Sequence, residues 1–194
     1  MSTLAGTVRS WMMQDVVVDR RARAAVGVLA FALAITFGAQ VAVPLPFTPV
    51  PITIQTLFVV LAGVVLGPRL GALAAGAYVL AGAAGAPVFS NGAGGLPWLF
   101  GPTGGYLLAA PLAAIVAGAV AGRQGRAPRT LLGLTLGVLT MYAGGVAQLQ
   151  AVTGEPLTAV LALGVYPFVA GDALKVLTAL WIVGGTRGTS FGRF

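Results

Sequence analysis

Cysteine and histidine are both absent from the 194 residues. Without thiols there is no disulfide framework and no thiolate metal site, and without imidazole the usual zinc ligand sets and histidine acid–base chemistry are closed to the chain. Charge is scarce as well: Asp, Glu, Lys and Arg make up 8% of the residues against 58% apolar, and the mean hydropathy is +0.96. A soluble domain carries about a quarter charged residues, so composition alone makes this an integral membrane protein. The net charge of +7 could suggest nucleic acid. Its arginines, however, lie scattered between apolar runs and not on a polar domain with aromatic platforms. No GxxxxGK[ST] loop occurs, so ATP hydrolysis by that route is excluded and no enzyme activity is expected.

The length suits about six membrane spans of about 20 residues each, in one all-α bundle without a second folded domain. A polar segment, residues 1–23, carries Arg9, Asp15, Asp19, Arg20, Arg21 and Arg23. It is too long and too acidic for the basic lead of a cleaved signal peptide, so a retained first helix is expected over residues 24–43. Residues 44–55 hold four prolines in eight positions, which forbids a regular helix and predicts an extended loop. A short second span follows at 56–67, about 18 Å long at about 1.5 Å per residue, too short to cross a bilayer unaided. Pro68 breaks the chain and a third span runs over 70–86. A second uncharged loop, residues 87–103, contains Gly92, Gly94, Gly95, Gly101, Pro97 and Pro102, with Trp98 as an expected interface anchor. Further spans are expected at 104–122, 130–150 and 157–184, giving a membrane domain over 24–184 and a tail over 185–194.

Asp172 and Lys175 lie inside the last stretch, which contains no other charge. An ionisable group at bilayer depth costs roughly 2.5 to 3.5 kcal/mol even on the lenient insertion scale. On a helix their i, i+3 spacing puts both side chains on one face, where they can pair or jointly grip a polar ligand. The bland alternative is an ion pair that pins the helix to its neighbours.

With six spans and both ends inside, every arginine falls on the cytoplasmic side, and the outer loops hold only Glu155. This positive-inside bias orients the chain and puts both Pro/Gly-rich loops outside, as two lids over a pocket with the Asp172/Lys175 face below. Small residues form a second pattern: Gly27, Ala30, Ala34 and Gly38 on the first helix, and Gly63, Gly67 and Gly71 around the second and third. Such ridges serve packing within a bundle, and the first could equally dock a separate membrane subunit.

The blocks Thr48-Pro49-Val50-Pro51-Ile52-Thr53-Ile54-Gln55-Thr56, Leu66-Gly67-Pro68-Arg69, Gly85-Ala86-Pro87-Val88-Phe89, Gly101-Pro102-Thr103-Gly104-Gly105-Tyr106 and Asp172-Ala173-Leu174-Lys175 resemble the BioY family. Its members are the biotin-binding S components of energy-coupling-factor (ECF) transporters. The resemblance implies a multi-pass subunit of a prokaryotic cell membrane that captures biotin from outside. It also implies import driven by a T component and two ABC-type ATPases, with the small-residue face of the first helix as docking element. Asn91, Asp172 and Lys175 match the positions that hold biotin's polar head in the family. Some members carry arginine after the GPTGG block, where this chain has Tyr106.

The chemistry of the residues suits that ligand. A ureido ring offers two N–H donors and one carbonyl; Asp172 can accept from the former, and Lys175 and Asn91 can donate to the latter. Phe89 and Trp98 could wall an apolar slot. Thr53 and Gln55 are further polar candidates, unless they cap the second helix. No cofactor is expected. An S component for thiamine or riboflavin and a proton-coupled carrier are the rival readings, the second weakened by the lack of an inverted repeat.

Overall fold

The computed structural model describes residues 20–122 and 126–185. The expectations placed on residues 1–19 and 186–194, and on Arg123, lie outside the described residues. Helix α1 spans Arg20–Gln40 and so takes in the arginines expected to precede it. It buries only Ile35, Gly38 and Ala39 fully. Val26, Leu29, Leu33 and Phe37 stand exposed in a ridge along its outer side, an arrangement that water would penalise and lipid accepts.

Residues 44–53 are more ordered than an extended loop. Strands β1 (Ala42–Leu45) and β2 (Thr48–Thr53) form an antiparallel hairpin that pairs Ala42 with Thr53 and Leu45 with Thr48, with an irregularity between Val43 and Leu45. Pro44, at that irregularity, has no N–H to give. A two-stranded ribbon has two open edges, so its prolines can point their missing donors outward. Proline content alone predicted the lack of a helix and concealed the pairing.

Helix α2 (Gln55–Leu66) is 12 residues long, and α3 (Pro68–Ala83) begins on the proline expected to break the chain. The two join at Gly67, whose φ of +84° lies in the left-handed region that favours glycine. Residues 87–103 contain a 3-10 turn at Ser90–Gly92 and a one-turn helix α4 (Leu96–Phe100). Helices α5 (Gly104–Ala121) and α6 (Ala127–Thr153) then form the most extensive helix pair. Glycines set their spacing: a Cβ on Gly105 would strike the carbonyl of Gly144, and one on Gly133 the carbonyl of Ala117. Small-residue contact of this kind is how helices associate in a medium as apolar as their side chains.

The single last span expected over 157–184 is broken. Helices α7 (Leu157–Gly164) and α8 (Val169–Gly185) meet at a bend of 51°. Pro167 is the cause, since within a helix its ring would clash with the carbonyl of Leu163 and its nitrogen could not bond it. Carbonyls released at membrane depth need other donors. Thr48 Oγ1 of β2 donates to Leu163 O at 2.8 Å, and Tyr106 Oη of α5 donates to Gly164 O at 2.6 Å.

Among the described residues three helices, α1, α5 and α6, are long and apolar enough to cross a membrane, or four if the bent pair α7/α8 counts as one. The fold is mostly helical, with the hairpin as the exception to the all-α expectation. Its main core lies where α1, α2, α3 and α5 meet, around Ile35, Val59, Tyr78, Ala110 and Ala114.

Candidate functional site

The hairpin, the 87–103 segment, the start of α2 and the facing sides of α5, α6 and α8 enclose a cavity of about 190 Å³. Thr53, Gln55, Asn91, Trp98, Tyr106, Asp172 and Lys175, the residues singled out in the sequence, all line it.

Asp172 lies in the first turn of α8, where a negative charge meets the positive end of the helix dipole. It is 5% exposed. Its carboxylate is doubly held: Lys175 Nζ donates to Oδ1 at 2.7 Å, and Tyr142 Oη, from α6, donates to Oδ2 at 2.5 Å. The pair is therefore a true i, i+3 ion pair, nearly enclosed. It is not saturated. A carboxylate accepts about four hydrogen bonds and an ammonium donates three, so both groups keep capacity toward the cavity.

Asn91 has φ 60° and ψ 31°, the one non-glycine residue with positive φ among the described residues. Asparagine tolerates this conformation better than most side chains. Gln40, the last residue of α1, holds the segment around it. Its Nε2 donates to Phe89 O at 2.9 Å and more weakly to Pro87 O at 3.5 Å, and its Oε1 accepts from Gly92 N at 3.1 Å. One side-chain amide thereby brackets Asn91 on both sides.

Thr53 and Gln55 do not cap α2. The N-cap position is Ile54 and no side-chain capping bond forms. Gln55 is buried, at 6% exposure, and belongs to the cavity wall. Trp98, expected at the membrane interface, is 46% exposed and lines the cavity as well. Tyr106 lines the cavity, but its one hydroxyl proton is committed to Gly164 O. Toward a ligand its oxygen can only accept. Phe89 is buried against Tyr78, edge to face, with ring centroids 5.6 Å apart. Leu107, Met141 and Phe168 complete an apolar wall.

Three positioning groups escaped the sequence reading. Tyr142 and Gln40 are two; Gln148 is the third, its Nε2 donating to Leu99 O at 2.7 Å and Gly101 O at 2.8 Å, which ties α4 and the turn after it to α6. Each is a polar residue within an apolar helix, and that weak signal was available. Its partners are backbone groups or a carboxylate distant in sequence, and nothing local points to them.

The α1 stripe divides in two. A Cβ on Gly27 would meet Leu66, and one on Gly38 would meet Phe58 and the backbone of Gln55, so both ends of the stripe pack internally on α2. Ala30 is exposed and Ala34 half-buried.

Comparison with known proteins identifies the family. The family model described as "BioY family" matches residues 10–190. A probable biotin transporter BioY of Pyrococcus horikoshii is 39% identical over 166 residues, 85% of this chain and 97% of the relative. The biotin transporter BioY of Thermotoga maritima is 40% identical over 152 residues, 78% of this chain and 88% of the relative. Among solved structures, the S-component for biotin from an ECF-type ABC transporter superimposes with a TM-score of 0.82 at 25% identity, covering 90% of this chain and 97% of that one. A mostly helical, apolar fold and a family match along nearly the whole length lead to one conclusion: the chain belongs to the BioY family.

Proposed function

We propose that this protein is the S component of an ECF-type transporter and captures biotin from the outside of a prokaryotic cell. The observation that carries the reading is the cavity itself, which the Asp172/Lys175 ion pair and Asn91 line together with apolar side chains. Asp172 accepts a ureido N–H, while Lys175 and the Asn91 amide donate to the ureido oxygen. Phe89, Leu107, Met141 and Trp98 receive the thioether ring and aliphatic chain, with Thr53 and Gln55 as further polar contacts.

In this reading the chain crosses the membrane six times, with α2 and α3 completing the spans and α7/α8 serving as the sixth. Residues 1–23 and 185–194 lie in the cytoplasm, in keeping with the clustering of arginine away from the two Pro/Gly-rich segments. Those segments, the hairpin and residues 87–103, act as lids. The chain itself hydrolyses no ATP; a T component and two ABC-type ATPases supply the drive. The T component docks on α1, where Ala30 and Ala34 are the accessible members of the stripe.

Right-side-out and inverted membrane vesicles containing the protein test the direction of capture. Labelled biotin should bind the former at once and the latter only after permeabilisation. Equal binding to both before permeabilisation contradicts capture from outside.

A further inference from the structure

Asp172 is shared by two hollows. One is the cavity described above. The other is an apolar groove of about 330 Å³ between α6 and α8, bordered by Leu131, Leu139 and Leu177 on the helix exteriors and reaching inward to Tyr142 and Asp172. The Tyr142–Asp172 hydrogen bond lies on the partition between them, because both residues line both hollows.

Lys175 cannot by itself decide which hollow the carboxylate serves. It lies one turn along the same helix, so a rotation of α8 or a swing of the Asp172 side chain carries the ion pair along. Tyr142 is anchored on α6 and donates to the other carboxylate oxygen. Two donors on two helices fix the plane of the carboxylate where one would fix only a point. The tyrosine proton is thereby used, and the free lone pairs of Asp172 are left for donors entering from the cavity.

We infer that Tyr142 is a positioning residue of the ligand site: through Asp172 it holds the carboxylate in the plane that accepts a ureido N–H and turns it away from the lipid-side groove. The inference rests on the biotin reading above and adds to it a residue that acts on specificity for N–H donors.

The test is Tyr142→Phe, which removes one oxygen and keeps the ring. Purified wild type and variant are titrated with biotin, and the Asp172 carboxylate stretching band is followed by infrared difference spectroscopy, assigned by its loss in Asp172→Asn. The expected result is a 10- to 50-fold weaker affinity in Tyr142→Phe, with the same factor for biotin methyl ester, whose ureido head is intact, and a shifted Asp172 band before ligand is added. Affinity within twofold of wild type overturns the inference. So does weakening with an unmoved Asp172 band, which would mark a merely structural tyrosine. If Tyr142→Phe does not fold, wild type decides: biotin must move the Asp172 band and a tyrosine C–O band together, and a static tyrosine band overturns the proposal. If wild type binds no biotin, the transporter reading fails, and this inference with it.

Discussion

Gln40 offers a way to disturb the site from outside it. Its amide links α1 to the segment that presents Asn91 through two firm hydrogen bonds at 2.9 and 3.1 Å and a marginal one at 3.5 Å. Gln40→Leu removes all three while keeping a similar helix propensity. A net 0.5 to 1.5 kcal/mol for each firm bond gives about 1 to 3 kcal/mol. Those bonds also offset the left-handed conformation of Asn91, a cost on the order of 1 kcal/mol that then favours release of the segment. If biotin requires Asn91 in place, the loss reappears in affinity as roughly a 5- to 140-fold weakening at 1.4 kcal/mol per tenfold. Isothermal titration with biotin measures it, and hydrogen exchange over residues 86–95 shows whether the segment has loosened. Asn91→Gly added to Gln40→Leu should not restore binding, because glycine supplies the backbone conformation without the amide. Affinity within twofold of wild type together with unchanged exchange refutes the reasoning.

Other variants separate the remaining roles. Asp172→Asn discards the ion pair and leaves Lys175 enclosed without its counter-charge, so biotin binding should fall by about 2 to 5 kcal/mol in a titration of folded protein; exchanging the two residues should not rescue it. The Tyr78 hydroxyl is buried without a partner, and an unmet buried group costs about 1 to 3 kcal/mol, so Tyr78→Phe should raise the melting temperature in detergent with biotin affinity unchanged. Replacing Ala30 and Ala34 together by Trp should spare biotin binding and abolish co-purification with the T component; retained co-purification moves the docking surface elsewhere.

Much of the architecture could be read from hydropathy and punctuation because each span is a long apolar run bounded by Pro, Gly or Arg. Helices α5 and α6 fall within a few residues of expectation for that reason. What escaped reading depended on pairing across the chain. The prolines of residues 44–51 prohibit a helix, yet only the facing strand makes a hairpin of them. Pro167 could have signalled the break between α7 and α8. It was masked by the apolar run around it, and the donors that make the break tolerable, Thr48 and Tyr106, lie 115 and 58 residues away. Asp172, Lys175 and Asn91 were conspicuous because charge and amide are rare in this composition, while Tyr142 and Gln40 gain meaning only from what they touch. The α1 stripe shows the reverse difficulty: small residues look alike whether they pack inward, as Gly27 and Gly38 do, or remain open, as Ala30 does.

Equilibrium binding of labelled biotin to the purified chain, with thiamine and riboflavin as competitors, tests the central claim most directly. The account predicts saturable binding of one biotin per chain, displaced by unlabelled biotin and untouched by excess of either competitor. Failure to bind biotin, or equal displacement by thiamine or riboflavin, would contradict it.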